Sequence, residues 1–141
     1  MMKLAIKTAK ESREDLPIGA VILRDGIVIA KTNNRREERN DITSHAEIEA
    51  IKLASQKLDN WRLEECEMYV TLEPCPMCAW AILQSRIKTV YFGSYNTKYG
   101  ALGTALDLTK YSDFKPRIYG GIMEEECDEL LEDFWKKRRQ K

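Results

Sequence analysis

Residues 68–93, MYVTLEPCPMCAWAILQSRIKTVYFG, set a helix-like stretch between two short apolar runs. That order constrains the fold more than any other part of the chain. MYVTL (68–72) and IKTVYFG (87–93) have the length and the β-branched and aromatic content of buried strands. CPMCAWAILQS (75–85) between them reads as a helix. The alternation extends in both directions. GAVILRDGIVIAKT (19–32) is two β-rich runs around Asp25-Gly26, a two-residue hairpin signal. Ile48, Ile51 and Ala54 mark one face of a helix from Ser44 to about Leu58. RIYG (117–120) is a last strand and 123–139 a closing amphipathic helix. Ahead of these, Leu4, Ala5, Thr8 and Ala9 sit at helical spacing within 2–14, a helix that Pro17 ends. TNNRREERND (32–41) has no period and reads as loop, and 94–110, with GALGTALDL, as loop followed by a short helix. Strands alternating with helices predict an α/β sandwich with a largely parallel sheet opened by an antiparallel hairpin. No repeat, low-complexity segment or linker divides the chain, so one domain over residues 1–141 is expected.

A chain of 141 residues, 43% hydrophobic and 33% charged, can bury a core without disulfide staples. Its formal net charge of zero excludes a protein that coats nucleic acid through a global positive field, but leaves room for a local basic patch. One candidate is KKRRQK at 136–141, which follows the acidic EEECDELLED. Those cations suit the C-terminal end of a helix dipole, and they equally suit a phosphate backbone. No run approaches the ~20 apolar residues of a membrane span, and the N-terminus lacks the apolar block of a signal peptide. Four cysteines in such a chain read as thiols or metal ligands, and a cytoplasmic protein with no membrane contact is expected.

Cys75 and Cys78 lie three positions apart at the start of a helix, on one side of its first turn. Pro76 suits the first helical position, where its missing N–H costs nothing. The positive end of the helix dipole favours thiolate there, and thiolate is the metal-binding form. His45, the chain's one histidine, opens the preceding helix, with Glu47 two residues on. One histidine and two cysteines offer zinc three ligands and leave a fourth position open for a water of lowered pKa. Glu47 is then the proton carrier, close to the metal but not on it.

Other readings stand beside this one. A CxxC pair can be a redox couple or half of a structural zinc site, closed by Cys66 or Cys127. Ser44-His-Ala-Glu47 also spells a capping box, with serine as N-cap and glutamate reaching back from the third helical position. Yet HAE at 45–47 and PCPMC at 74–78 together match H-x-E…P-C-x-x-C, the signature of zinc nucleobase deaminases.

The chain resembles the cytidine-deaminase-like superfamily, and within it the bacterial tRNA-specific adenosine deaminases. The resemblance runs nearly end to end: LPIGAVI (16–22), Asn34, DITSHAEI (41–48), MYVTLEPC (68–75), MCAWAI (77–82), SRIKTVYFG (85–93), NTKYGALG (96–103) and DFWKKRR (133–139). It implies a three-layer α/β/α sandwich around a mixed five-stranded sheet. It further implies one zinc per chain on His45, Cys75 and Cys78, and a water that attacks C6 of adenine while Glu47 moves protons. The product is inosine at the wobble position of a tRNA anticodon loop. The same resemblance assigns substrate contacts to Ile18, Asn34, Ala46, Asn96, Lys98, Phe134, Arg138 and Arg139. It also implies a homodimer, with the helix from Cys75 at its interface. Three places depart from the family pattern: Asn96 where aspartate is usual, Trp80 for a small residue, and Lys115-Pro116-Arg117 before the last strand. Two other functions fit the zinc residues: a small-molecule deaminase of guanine, cytosine or a pyrimidine nucleotide, and a catalytically silent zinc module that binds RNA or a partner.

Overall fold

A computed structural model describes residues 1–140; Lys141, the last cation of the basic tail, lies outside the described residues. In chain order the elements are α1 (Met2–Ala9), β1 (Gly19–Arg24), β2 (Ile27–Asn33), α2 (Ala46–Leu58), β3 (Cys66–Leu72), α3 (Pro76–Gln84), β4 (Thr89–Ser94), a 3-10 turn (Leu108–Tyr111), β5 (Arg117–Tyr119) and α4 (Glu124–Arg139). The five strands form one sheet in the order β2-β1-β3-β4-β5.

The hairpin forms where the Asp25-Gly26 pair predicts it. Both turn residues are left-handed, with φ of 50° and 76°, the type I′ geometry that matches the twist of the flanking strands. Side chains along β1 alternate between faces, which gives the molecule two cores. Ala20 and Ile22 pack with Met68, Val70, Val90 and Phe92 beneath α2 and α3. Val21 and Leu23 meet Met2, Ala5 and Ile6 of α1 and Cys127 of α4 on the opposite face. This is the three-layer sandwich with a mixed sheet and helices on both faces. Ala46, Ala50 and Ala54 of α2 and Ala79 of α3 are fully buried, and their small side chains let both helices lie close to the sheet.

Two expectations need correction. The sheet is not largely parallel: β1 pairs antiparallel with β3 as well as with β2, and only β3–β4 and β4–β5 are parallel. The hairpin thus forms one edge of the sheet, with β2 outermost and β1 joining it to β3. Nor does α1 run to Pro17. Asn33 Nδ2 donates to the Thr8 carbonyl at 3.1 Å, and the chain leaves the helix at Lys10. A residue on β2 satisfies the end of α1, and the segment to Asp15 continues as tight turns.

The left-handed turn yields the first test. Gly26→Val puts a β-branched residue at φ 76° and should lower the unfolding free energy by about 1–2 kcal/mol, read from urea denaturation.

Candidate active site

Two helices begin side by side at the carboxyl end of β3. His45 is the N-cap residue of α2 and Cys75 that of α3, and Pro76 occupies the first turn of α3 as the sequence predicts. Residues 30 and 33 positions apart thereby converge. The Nδ1 atom of His45 lies 3.4 Å from the Cys78 sulfur and 3.7 Å from the Cys75 sulfur. All three ligand atoms fall within 4.8 Å of one another. A tetrahedral zinc with bonds of ~2.3 Å to sulfur and ~2.0–2.1 Å to nitrogen sets such atoms ~3.5 Å apart, so this group has the shape and chemistry to hold the ion. Among the described residues it is the one cluster of histidine, cysteine and carboxylate groups able to do so. Cys66 and Cys127 are buried elsewhere, in the two cores, and supply no fourth ligand.

The electrostatics of the group follow from its crowding. A hydrogen bond from the Cys78 thiol, joined by one with His45, outweighs burial and holds the Cys75 thiol down to about 4. Cys78 moves far up for the complementary reason, since it shares its proton with Cys75 and is buried. The hydrogen bond with Cys75 raises His45. One sulfur is therefore poised as thiolate, and binding of a metal releases the remaining proton.

Glu47 is the second residue of α2, within its first turn, and is 4% exposed. The capping box that the sequence allows does not form. The N-cap is His45, not Ser44, and no side chain caps it. The Ser44 hydroxyl donates instead to Glu49 Oε1 at 2.8 Å, and Arg39 holds the other Glu49 oxygen at 3.0 Å. Glu47 is thus free of structural duty, and its Oε1 is buried without a hydrogen-bond partner. Burial pushes its carboxyl up to about 7.

His45, Glu47 and Cys75 lie in a cleft of about 330 Å³. Ile18, Asn96, Phe134 and Arg138 line the same cleft. Asn34, just past β2, is not among the lining residues but is tied to one of them: its backbone N–H donates to the Ile18 carbonyl at 3.1 Å. Asn34 is buried, and its Oδ1 is, like Glu47 Oε1, an acceptor without a partner. Arg138 reaches back from α4, donating to the Glu14 carbonyl at 3.0 Å with its guanidinium 4.9 Å from the Phe134 ring centre.

A family model for MafB19-like deaminases matches residues 1–139. A tRNA-specific adenosine deaminase of Bacillus subtilis is 42% identical, with 99% of this chain and 89% of that protein covered. The enzyme of the same description from Agrobacterium fabrum is also 42% identical, over 98% of this chain and 93% of its own length. The chain belongs to the tRNA-specific adenosine deaminase family. Its fold agrees: a solved structure from studies of A-to-I editing by tRNA:A34 deaminases superposes with a TM-score of 0.86 at 41% identity, covering 92% of this chain and 97% of that one.

In this member of the adenosine deaminase family, seven of the residues predicted for the site line one cleft, and the others take different places. Cys78 is fully buried beneath it. Ala46 is also fully buried, its carbonyl accepting from the Thr32 hydroxyl at 2.6 Å. Lys98 and Arg139 are exposed outside the cleft lining, Lys98 with its ammonium 5.9 Å from the Tyr99 ring centre. The structure adds lining residues to which the sequence reading gave no role: Tyr99, Trp135, Arg36 and, most deeply buried, Glu73. Trp135 was legible only as the neighbour of Phe134, and Arg36 was hidden in a loop whose charges look merely solvated.

Separate duties for ligand and carboxylate lead to separable outcomes. Zinc added to metal-free protein should bind one ion per chain in the wild type and in Glu47→Gln, and should lose stoichiometric binding in Cys78→Ala, as read by equilibrium dialysis with metal analysis.

Proposed function

We propose that the protein converts adenosine to inosine at the wobble position of a tRNA anticodon loop, with water consumed and ammonia released. One observation carries the reading: a buried carboxyl oxygen without a partner, on Glu47, beside a His-Cys-Cys group at the base of an accessible cleft. His45, Cys75 and Cys78 would hold zinc, which would supply the acidity that makes a water nucleophilic near neutral pH. Glu47 would take one proton from the attacking water to ring N1 as the C6–O bond forms, then move the second from that oxygen to the amino nitrogen, so that the C6–N bond breaks and ammonia departs. Burial excludes bulk water from the proton's path. Asn34, buried with an unpartnered Oδ1, would offer an acceptor to a base edge, and Ile18, tied to it through the backbone, would pack against the same base. Ala46, fully buried between His45 and Glu47, would act only through the backbone at the start of α2.

A base enters such a cleft only when it is swung out of its stack, which costs least in a single-stranded loop. Phe134 and Arg138 supply an aromatic face and a cation at the cleft edge, suited to a neighbouring nucleotide and its phosphate. Asn96, Lys98 and Arg139 extend the contact surface along the RNA. A free nucleobase makes no use of these outer groups, which favours RNA over the small-molecule alternative, and Glu47 has no task in a silent zinc module. The proposed enzyme works as a homodimer in the cytoplasm. Support for the dimer comes from α3, which leaves Met77 38% and Trp80 40% exposed on the helix that carries the metal ligand. No helix among the described residues is long and apolar enough to cross a membrane.

Ammonia release should be observed from an anticodon stem-loop with adenosine at the wobble position, and not from free guanine or cytosine. The reverse pattern would establish a small-molecule deaminase, and no release from any of them a silent module. Glu47→Ala should lower kcat on the stem-loop by about 10²–10⁴-fold with zinc retained. Replacing Arg138 and Arg139 by alanine should weaken stem-loop binding and flatten its salt dependence by about one unit of log–log slope per lost phosphate contact, measured by fluorescence anisotropy between low and moderate salt.

A further inference from the structure

Glu73 is 1% exposed, yet it lines the cleft, and neither the metal group nor proton transfer employs it. Its surroundings are unusual for a buried acid. Among the described residues no basic side chain forms an ion pair with it. Its partners are backbone N–H groups: Asn96 on Oε1 at 3.3 Å, and Leu102 and Thr104 on Oε2 at 3.1 and 3.2 Å. All three belong to the segment that leaves β4 at Ser94 and runs to the 3-10 turn at Leu108, a stretch whose only ladder contact is the single bridge between Leu102 and Asp107. Two backbone bonds flank the carboxyl, from Glu73 N–H to the Ser94 carbonyl at 2.9 Å and from Ala101 N–H to the Pro74 carbonyl at 2.9 Å. Gly100 is moulded against the same group. A Cβ there would lie 2.6 Å from Glu73 Cδ and Oε1 and 2.5 Å from the Asn96 carbonyl oxygen.

We infer that Glu73 is a positioning residue for substrate: its carboxyl shapes the 95–104 segment from beneath and so sets Asn96 in the cleft wall. The inference rests on the proposed RNA substrate for its kinetic consequence, but not for its structural one. The side chain of Asn96 is already oriented, because its Oδ1 accepts from Tyr99 N–H at 3.0 Å and its amide N–H₂ remains free to face a ligand. Glu73 fixes the backbone that carries this amide. A carboxylate suits the task because three N–H donors converge on two oxygens, and it brings no donor of its own. Glutamine has the same shape but only one acceptor oxygen. Turned toward Leu102 and Thr104 it keeps two bonds and sets an N–H₂ against the Asn96 N–H, so Glu73→Gln releases Asn96 selectively.

The test compares wild type, Glu73→Gln, Asn96→Ala and the double variant on the wobble-adenosine stem-loop, with zinc content measured for each. Glu73→Gln should raise KM about tenfold, the order expected for one lost hydrogen bond to a charged group, with kcat and zinc content unchanged. In the Asn96→Ala background the same change should move KM by less than about twofold, because the residue it acts through is gone. Amide hydrogen exchange followed by NMR should show Asn96 exchanging at least about tenfold faster in Glu73→Gln, with Leu102 and Thr104 unaltered. A KM effect of equal size in both backgrounds, a loss of zinc, or an unchanged Asn96 exchange rate overturns the assignment. If the wild type leaves the stem-loop untouched, the proposed function fails, and the exchange data alone decide the role of Glu73. Should Glu73→Gln not fold, Glu73→Asp, which keeps the carboxylate but draws its oxygens back from the Asn96 N–H, is expected to reproduce both the KM and the exchange changes, and an unchanged Asn96 exchange rate there overturns the assignment equally.

Discussion

The close meeting of two helix N-termini at the end of β3 is the constraint on which the rest of the site depends. Both α2 and α3 offer their unpaired N–H groups and positive dipole ends to the same small volume, a setting that favours anionic sulfur. The meeting requires that the helices lie close to the sheet and to each other. The run of buried alanines at 46, 50, 54 and 79 makes that possible, since bulkier side chains would lift the helices and separate His45 from the two sulfurs. Parallel pairing of β3 with β4 sets α3 as the crossover between them, so the ligand pair stands at a strand's carboxyl end. Metal chemistry here is a consequence of packing.

The cleft walls around this centre are loops, and three buried acids hold them. Asp15 accepts from the backbone N–H groups of Glu37 and Glu38 at 2.8 and 3.2 Å, which ties the charged 35–41 segment to the residues before β1. Glu49 grips Ser44 and Arg39 at the approach to α2. Glu73 takes the third wall. Each is less than 9% exposed, and each spends its oxygens on groups that would otherwise be unpaired in a partly dry setting. Such anchors give loops the rigidity that a helix or strand has from its own ladder, and a site that must place atoms within a fraction of an ångström needs it. Glu47 is the contrast. It is equally buried, but one of its oxygens is left without a partner, and that difference separates a carboxylate that builds the cleft from one that works in it.

Much of this was readable along the chain, because local rules govern it. The Asp25-Gly26 turn, Pro76 at the start of α3 and the one-sided placement of Cys75 and Cys78 depend on residues within a few positions of each other, where dihedral preference and helical spacing decide. HAE and PCPMC can be joined from the sequence, since the residue types that zinc and proton transfer require are few. Contacts between distant residues settled the remainder. Ser44 offers a cap to α2 by local spacing, but Glu49, held by Arg39, competes for its hydroxyl and wins. Thr8 can continue α1, but its carbonyl accepts from Asn33 of β2 and from the Glu11 N–H, a tight turn in place of a further helical turn. The antiparallel union of β1 with β3 depends on which strand lies beside which, and no short-range pattern records that. For the same reason Glu73, Tyr99, Trp135 and Arg36 became visible only in the folded chain: a polar residue's partners lie tens of positions away, and burial is a property of the whole packing. The amino-acid sequence by itself determined the chemistry available to this protein, through residue types at local spacings, whereas only the tertiary structure decided which carboxylates hold the cleft and which remains free to act, because that depends on which N–H groups the folded chain brings within reach.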